Sequence, residues 1–186
     1  YDEIALDYCA AGCWQEATSL WKIAIEGAAV TPMTYYYLGW CLFQGGLPGA
    51  HQAFADAKMA CPDYCFPNRL EAIIALQCAM EQNSDDAKVP YYLGNLYYDK
   101  RQYDLAMEAW ETSAKLDDSF PTVWRNLALA YFNKKNEETK AIECMERAFR
   151  LDTTDARILM ELDQLYKRVC RLHKERLAFL QQYPEL

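Results

Sequence analysis

Small, aromatic and leucine side chains recur along this chain in a fixed order. Gly94, after Leu93, returns as Ala128, after Leu127, 34 residues later, and Tyr97 returns as Tyr131 at the same interval. Downstream, Ala106, Trp110 and Ser113 match Ala141, Met145 and Ala148 with a shift of 35, one residue being inserted in the turn. Spacings of three and four within each set place its members on one helix face. Each period therefore predicts two antiparallel helices, a hairpin that cannot bury its apolar face alone and must stack on its neighbours.

The same template fits the front of the chain. Ala5, Tyr8, Ala17, Trp21 and Ala24 stand where Gly39, Leu42, Ala50, Phe54 and Ala57 stand one unit later; Ala5 to Gly39 is 34 residues and Ala17 to Ala50 is 33. A final unit shows Leu162, Tyr166 and Phe179, with Asp163 and Glu175 in place of small residues, as a stack needs where its last hairpin meets water. Turn chemistry marks the joints. Gly12, Gly45 with Gly46, and Asn133 to Asn136 fall between paired helices, and Pro32, Pro62, Pro90 and Pro121 fall near unit boundaries. The segment from Cys61 to Asp86 breaks the period. There Leu70, Ile73, Ile74, Leu76, Gln77 and Met80 form a mainly apolar stripe, and Ala72, Leu76 and Ala79 mimic a second helix whose first is missing. Residues 67–83 are expected to form one longer, unpaired helix joining a front stack of two units to a rear stack of three.

The order of an aromatic, Leu-Gly or Leu-Ala, a Tyr, then Ala, an aromatic and Ala, closed by Pro or Asp-Asp, resembles the tetratricopeptide repeat. VPYYLGNLYYDKRQYDLAMEAWETSAKLDDSFPTVWRNLALAYFNK carries it at nearly every signature position, and the resemblance extends over roughly residues 2–60 and 87–184. It implies an all-α solenoid of antiparallel hairpins stacked as a right-handed superhelix. As one domain over 1–186, its units would lie at about 2–30, 31–60, 87–120, 121–155 and 156–186, with the irregular helical segment at 61–86. Small residues such as Gly94, Ala106, Ala128 and Ala141 would let helices approach closely, while Phe54, Tyr97, Trp110, Trp124 and Tyr131 fill the space between hairpins.

Composition narrows the function. With 52% hydrophobic and 25% charged residues the chain has an ordinary globular balance. A net charge of −8 and a pI near 4.8 oppose binding to nucleic acid, whose phosphates call for clustered Lys and Arg. The basic run from Lys167 to Arg176 is interrupted by Val169, Cys170 and Leu172 and is expected to be a solvated helix face. No apolar run approaches the ~20 residues that span a bilayer, so no membrane role is expected. Because it opens on Tyr1, the chain is expected to be a piece of a longer one; its compartment is expected to be the cytoplasm.

Candidate chemistry is sparse. His51 and His173 fall on different predicted hairpins and are expected at the surface, and the Gly45, Gly46, Gly49 cluster lacks the Lys-Ser/Thr of a phosphate loop. The eight cysteines include Cys9 with Cys13 and Cys61 with Cys65, each pair separated by three residues rather than the two of most zinc knuckles. Zinc or disulfides remain open, against small buried thiols in a reducing compartment. Ser84-Asp85-Asp86 and Asp117-Asp118-Ser119 are expected to cap the helices that follow them. No catalytic residue, metal site or cofactor is expected, and the chain is not expected to be an enzyme.

The first helix of each repeat lines the concave face in such stacks. The candidate binding residues for a peptide or protein partner are therefore Tyr91, Asn95 and Tyr98, then Arg125, Asn126 and Phe132, then Arg157, with Glu161 beside it. Asn offers both a donor and an acceptor to an extended backbone, and Tyr supplies contact area at low entropic cost. Asn95, Asn126 and Arg157 also resemble part of the carboxylate clamp of some tetratricopeptide domains. Tyr91 stands where that clamp has Lys and Glu161 where it has a basic residue, which speaks against capture of an acidic tail. The expected function is a protein-interaction scaffold. The alternative is an accessory helical domain packing in cis on its own catalytic domain, because FPTVWRNLALAYFNK and LDTTDARILMELDQLYKR resemble the helical tail of bacterial multidomain proteins with a region similar to sugar-processing enzymes. Partners in trans or in cis, and self-association through an end hairpin, are all compatible with the sequence.

Overall fold

A computed structural model describes residues 1–27 and 30–185. Its helices are α1 (Asp2–Ala10), α2 (Trp14–Glu26), α3 (Pro32–Gln44), α4 (Ala50–Met59), α5 (Glu71–Gln82), α6 (Lys88–Asp99), α7 (Tyr103–Leu116), α8 (Pro121–Ala130), α9 (Glu138–Leu151), α10 (Ala156–Arg168) and α11 (His173–Leu180). A single π-helical turn, Tyr131–Lys135, follows α8. The chain divides into two compact units, Tyr1–Ala106 and Met107–Leu186.

In the first unit α1 packs on α2, α2 on α3 and α3 on α4. The expected glycine turns are present, with Gly12 at φ +75° and Gly46 at +61°, where a Cβ would be strained. Thr31 and Pro32 open α3 as N-cap and first helical residue. Close approach is enforced at Gly39, where an added Cβ would lie 2.5 Å from the Phe54 ring. The core holds Trp21, Tyr36, Phe54 and Leu76 fully buried. Trp21 stacks on Tyr37, with ring centroids 5.9 Å apart, and its indole N–H donates to Asp2 Oδ1 at 2.9 Å. Among the consecutive aromatics of α3, Tyr36 and Tyr37 face inward, Tyr35 and Trp40 are half-buried and Phe43 is exposed.

The irregular segment differs from expectation in two ways. Residues 61–70 are mostly turn and extended backbone, so the helix begins only at Glu71. That helix is not unpaired either, since α5 packs on α3 and α6. Its buried side is Ala72, Ala75, Leu76, Cys78 and Ala79, while Leu70 and Ile74 of the expected stripe face water. Small side chains win the inward side because they let α5 lie close to its neighbours. The Asp86 carboxylate, expected as a cap, accepts from the Lys88 backbone N–H at 3.0 Å and, deep in the unit, from the Tyr36 hydroxyl at 2.7 Å.

In the second unit α9 packs on α8 and α10, and α11 on α10. Val123, Leu127, Met145, Ile158 and Leu162 are fully buried, and Ala128, Ala141 and Ala148 provide the close approaches. Asn136, at φ +56°, ends the π turn, and the Glu137 N–H closes it on the Tyr131 carbonyl at 3.0 Å. Trp110 and Tyr131 are buried as expected. Trp124, expected between hairpins, is only half-buried: its indole donates to the Asp118 carbonyl at 2.9 Å and its face carries the Arg147 guanidinium at 4.3 Å. Tyr97, in the first unit, is likewise half-buried. The last hairpin is polar outside, and Asp163, standing where a small residue usually sits, takes a two-pronged contact from Arg176 at 2.8 and 2.5 Å.

Candidate functional site

In the second unit α8 and α10 both pack on α9 and meet through side chains, and each helix starts at a defined point. Pro121 presets the first turn of α8, and the Asp155 carboxylate caps α10 by accepting from the N–H groups of Arg157 at 2.8 Å and Ile158 at 3.2 Å. With Ile158, Leu159, Leu162, Leu165 and Tyr166 turned into the core, the opposite stripe of α10 carries Arg157, Glu161, Gln164 and Arg168. On α8 and its π turn the residues left at the surface edge are Arg125, Asn126, Leu129 and Phe132, all half-buried.

Arg125 and Glu161 join these stripes. The guanidinium grips the carboxylate with both prongs, Nε to Oε2 at 2.6 Å and Nη2 to Oε1, and the two side chains are only 18% and 17% exposed. Arg125 Nη1 also reaches Asn126 Oδ1 at 3.5 Å. The Arg168 guanidinium sits over the Phe132 ring at 5.6 Å. Such a fork fixes both side chains in one geometry and cancels their charge.

The candidate residues thus fall into two groups. Arg125, Asn126 and Phe132 lie on one surface of the second unit together with Glu161, and Arg157 stands one turn before Glu161, exposed, with Nη2 3.5 Å from Asp155 Oδ2. Tyr91, Asn95 and Tyr98 are on α6 in the first unit. Tyr98 packs edge-on to Tyr103, with centroids 5.1 Å apart, and Asn95 is half-buried. Tyr91 is buried against Tyr92 at 5.2 Å, so its ring serves the core. Sequence reasoning missed Gln164 and Arg168, although both follow from continuing the Arg157, Glu161 stripe by three and seven residues. It also underread the basic run: Arg171 pairs with Glu146 at 3.2 Å and lies over the Tyr166 ring, and Arg176 holds Asp163.

The family matches include α8 of this face and end just before α10. Residues 94–135 match the TPR repeat and residues 121–155 the tetratricopeptide repeat. Residues 94–155 thus match tetratricopeptide repeats. Over 75 residues it is 32% identical to human RANBP2-like and GRIP domain-containing protein 8, which covers 40% of this chain and 4% of that protein. It is 31% identical over 75 residues to the human E3 SUMO-protein ligase RanBP2, covering 40% of this chain and 2% of that protein. The chain thus corresponds to a small fraction of the length of these relatives. Among solved structures, MamA superimposes with a TM-score of 0.55 at 18% identity, covering 97% of this chain and 92% of that one. MamA 41-end from Desulfovibrio magneticus RS-1 gives 0.53 at 19% identity over 98% and 90%. Pseudomonas aeruginosa pilF gives 0.50 at 18% over 89% and 66%. These likenesses are of fold.

Elsewhere in the chain, reactive groups are dispersed. His51 on α4 and His173 on α11 are both exposed. Among the described residues no three His, Cys, Asp or Glu side chains gather as a metal site. Five cysteines are buried, at positions 9, 41, 65, 78 and 144, as small apolar fillers would be. The Cys41 thiol lies 3.4 Å from Thr18 Oγ1, and hydrogen bonds from Cys9 and Thr18 bring it down to about 7, while Cys9 is pushed well up by the same contact. No described helix is long and apolar enough to cross a membrane.

Proposed function

We propose that this chain is a protein-binding scaffold, and that the α8–α10 face of the second unit holds an extended segment of another polypeptide. The Arg125–Glu161 fork is the observation that carries this reading. It spends the central cation internally, so the face offers a charge-balanced floor flanked by Asn126 and Phe132 rather than an anion trap. A peptide backbone, with donors and acceptors in alternation, suits an amide and an aromatic edge that are already held in place. An acidic tail does not, because its carboxylate would have to displace Glu161 from Arg125.

The test is capture of partners by the purified chain, compared with an Asn126→Ala/Phe132→Ala variant of unchanged helicity. Loss of about tenfold or more in affinity for the captured partner is expected, roughly the effect of removing one interface anchor. Equal capture by both proteins would remove the face from the account. If the partner proves to be another part of the same longer chain, binding is in cis and a fragment supplied in trans should compete with it.

A further inference from the structure

Between the end of α4 and the first turn of α5 the first unit exposes five large apolar side chains to water. Met59 is 82% exposed, Tyr64 92%, Phe66 72%, Leu70 64% and Ile74 54%. Leu70 and Ile74 stand one turn apart on the outer side of α5, opposite the buried Ala72, Ala75 and Ala79. Tyr64 and Phe66 are held outward by anchors on either side, since Cys65 and Pro67 are buried. Tyr64 is also kept at φ +58°, a region side chains with a Cβ rarely adopt, in a turn closed by the Cys65 N–H on the Pro62 carbonyl at 3.3 Å. Apolar patches displayed on a fixed backbone are the mark of an interaction surface.

Its charged surroundings are one-sided. Lys58 is paired with Asp85 at 2.9 Å and Arg69 with Glu3 at 2.6 Å, while Lys88 donates to the Lys58 and Ala60 carbonyls, both at 2.6 Å. Asp63, next to Tyr64, and Glu71, next to Leu70, are exposed and have no ion-pair partner among the described residues. The cations near the patch are therefore engaged and the acids at its rim are open. We propose that this surface is a docking site, separate from the α8–α10 face, for an amphipathic segment of another polypeptide whose apolar side chains are flanked by Lys or Arg. The apolar centre supplies burial, and the acidic rim selects against acidic segments.

The probe is a fluorescein-labelled amphipathic Leu/Lys helix of about five turns, and its Leu/Glu counterpart with the same apolar face. Both are titrated with the full chain and read by anisotropy. The Leu/Lys peptide should bind at least about tenfold more tightly, and more weakly as salt is raised. Tyr64→Ser/Phe66→Ser/Ile74→Gln should abolish binding with helicity unchanged, and Asp63→Lys/Glu71→Lys, which keeps the apolar centre, should erase the preference for the basic peptide. Wild-type binding by the triple variant, or an undiminished preference in the charge variant, overturns the proposal. So does a concentration-dependent dimer that the triple variant abolishes, which would assign the surface to a second copy. Should the triple variant lose helicity, the charge variant decides alone.

Discussion

In the first unit two large aromatics hand their polar atoms to carboxylates from inside the core, while Trp40 Nε1 and the Tyr92 hydroxyl are buried with no hydrogen-bond partner among the described residues. Tyr36, fully buried, donates to the buried Asp86 at 2.7 Å, and the buried Trp21 donates to Asp2. In the second unit two tyrosine hydroxyls are satisfied at the edge. Tyr131 donates to Glu111, and Tyr166 donates to Glu146 at 2.7 Å, each carboxylate lying 20 residues back on the preceding helix. The two Tyr–Glu pairs are related by 35 residues, one repeat. Around them run Arg147 to Asp118, Arg171 to Glu146 and Arg176 to Asp163. Both units bury aromatics, and the second adds a half-exposed ionic lattice around its tyrosines. Stability lost per substitution should follow burial, because buried volume is worth more than screened charge.

The largest expected effect comes from the tryptophans. Trp21→Ala should cost about 3–5 kcal/mol and lower amide-exchange protection in α1–α3, whereas Trp124→Ala, stacked under Arg147 at the surface, should cost about 1 kcal/mol. Similar losses at both sites would break the comparison. Next is the buried pair in the first unit. Tyr36→Phe leaves Asp86 without its hydroxyl donor and should cost about 1–3 kcal/mol. Burial raises the Asp86 carboxyl above its ordinary value, against the opposing pull of Tyr36 and Lys88. A raised acid holds its proton more tightly in the folded chain. Its contribution is complete below about pH 4, the ordinary carboxylate range, and is lost as pH rises through the raised value. Asp86→Asn cannot ionise and should flatten that slope in urea titrations; a slope as steep as the parent's would assign it elsewhere.

Smaller effects belong to the ion pairs of the second unit. Arg125→Ala and Glu161→Ala should each cost about 1–2 kcal/mol, and the double variant clearly less than their sum, since each single change strands a half-buried charge. Additive losses would show that the fork does not act as a pair. Tyr166→Phe should cost about 1 kcal/mol, read as a midpoint shift in urea with an unchanged slope.

The repeat period made much of this legible. Gly39 and Phe54 occupy the small and the aromatic position of the template, and an added Cβ at Gly39 would lie 2.5 Å from the Phe54 ring. The succession of first helices put Arg125 and Glu161 among the candidate groove residues, but it set Glu161 beside Arg157 rather than against Arg125. Consecutive aromatics defeated the pattern: Tyr35, Tyr36 and Tyr37 are about 100° apart round a helix, so spacing alone does not choose among them. The outward turn of Leu70 and Ile74 was illegible for a different reason. Apolar side chains are ordinarily assigned inward, and only the packing of alanines against α3 and α6 shows that α5 has turned its larger residues to water. Asp163 with Arg176 was hidden because the last hairpin departs from the template that would have aligned them.

The claim that the second unit is a binding face is tested most directly by amide hydrogen exchange of the chain alone and with a captured partner. Slowed exchange in residues 121–132 and 156–168, absent when Asn126→Ala/Phe132→Ala is used, is the predicted result. Unchanged exchange across both segments in a demonstrably bound complex would contradict it.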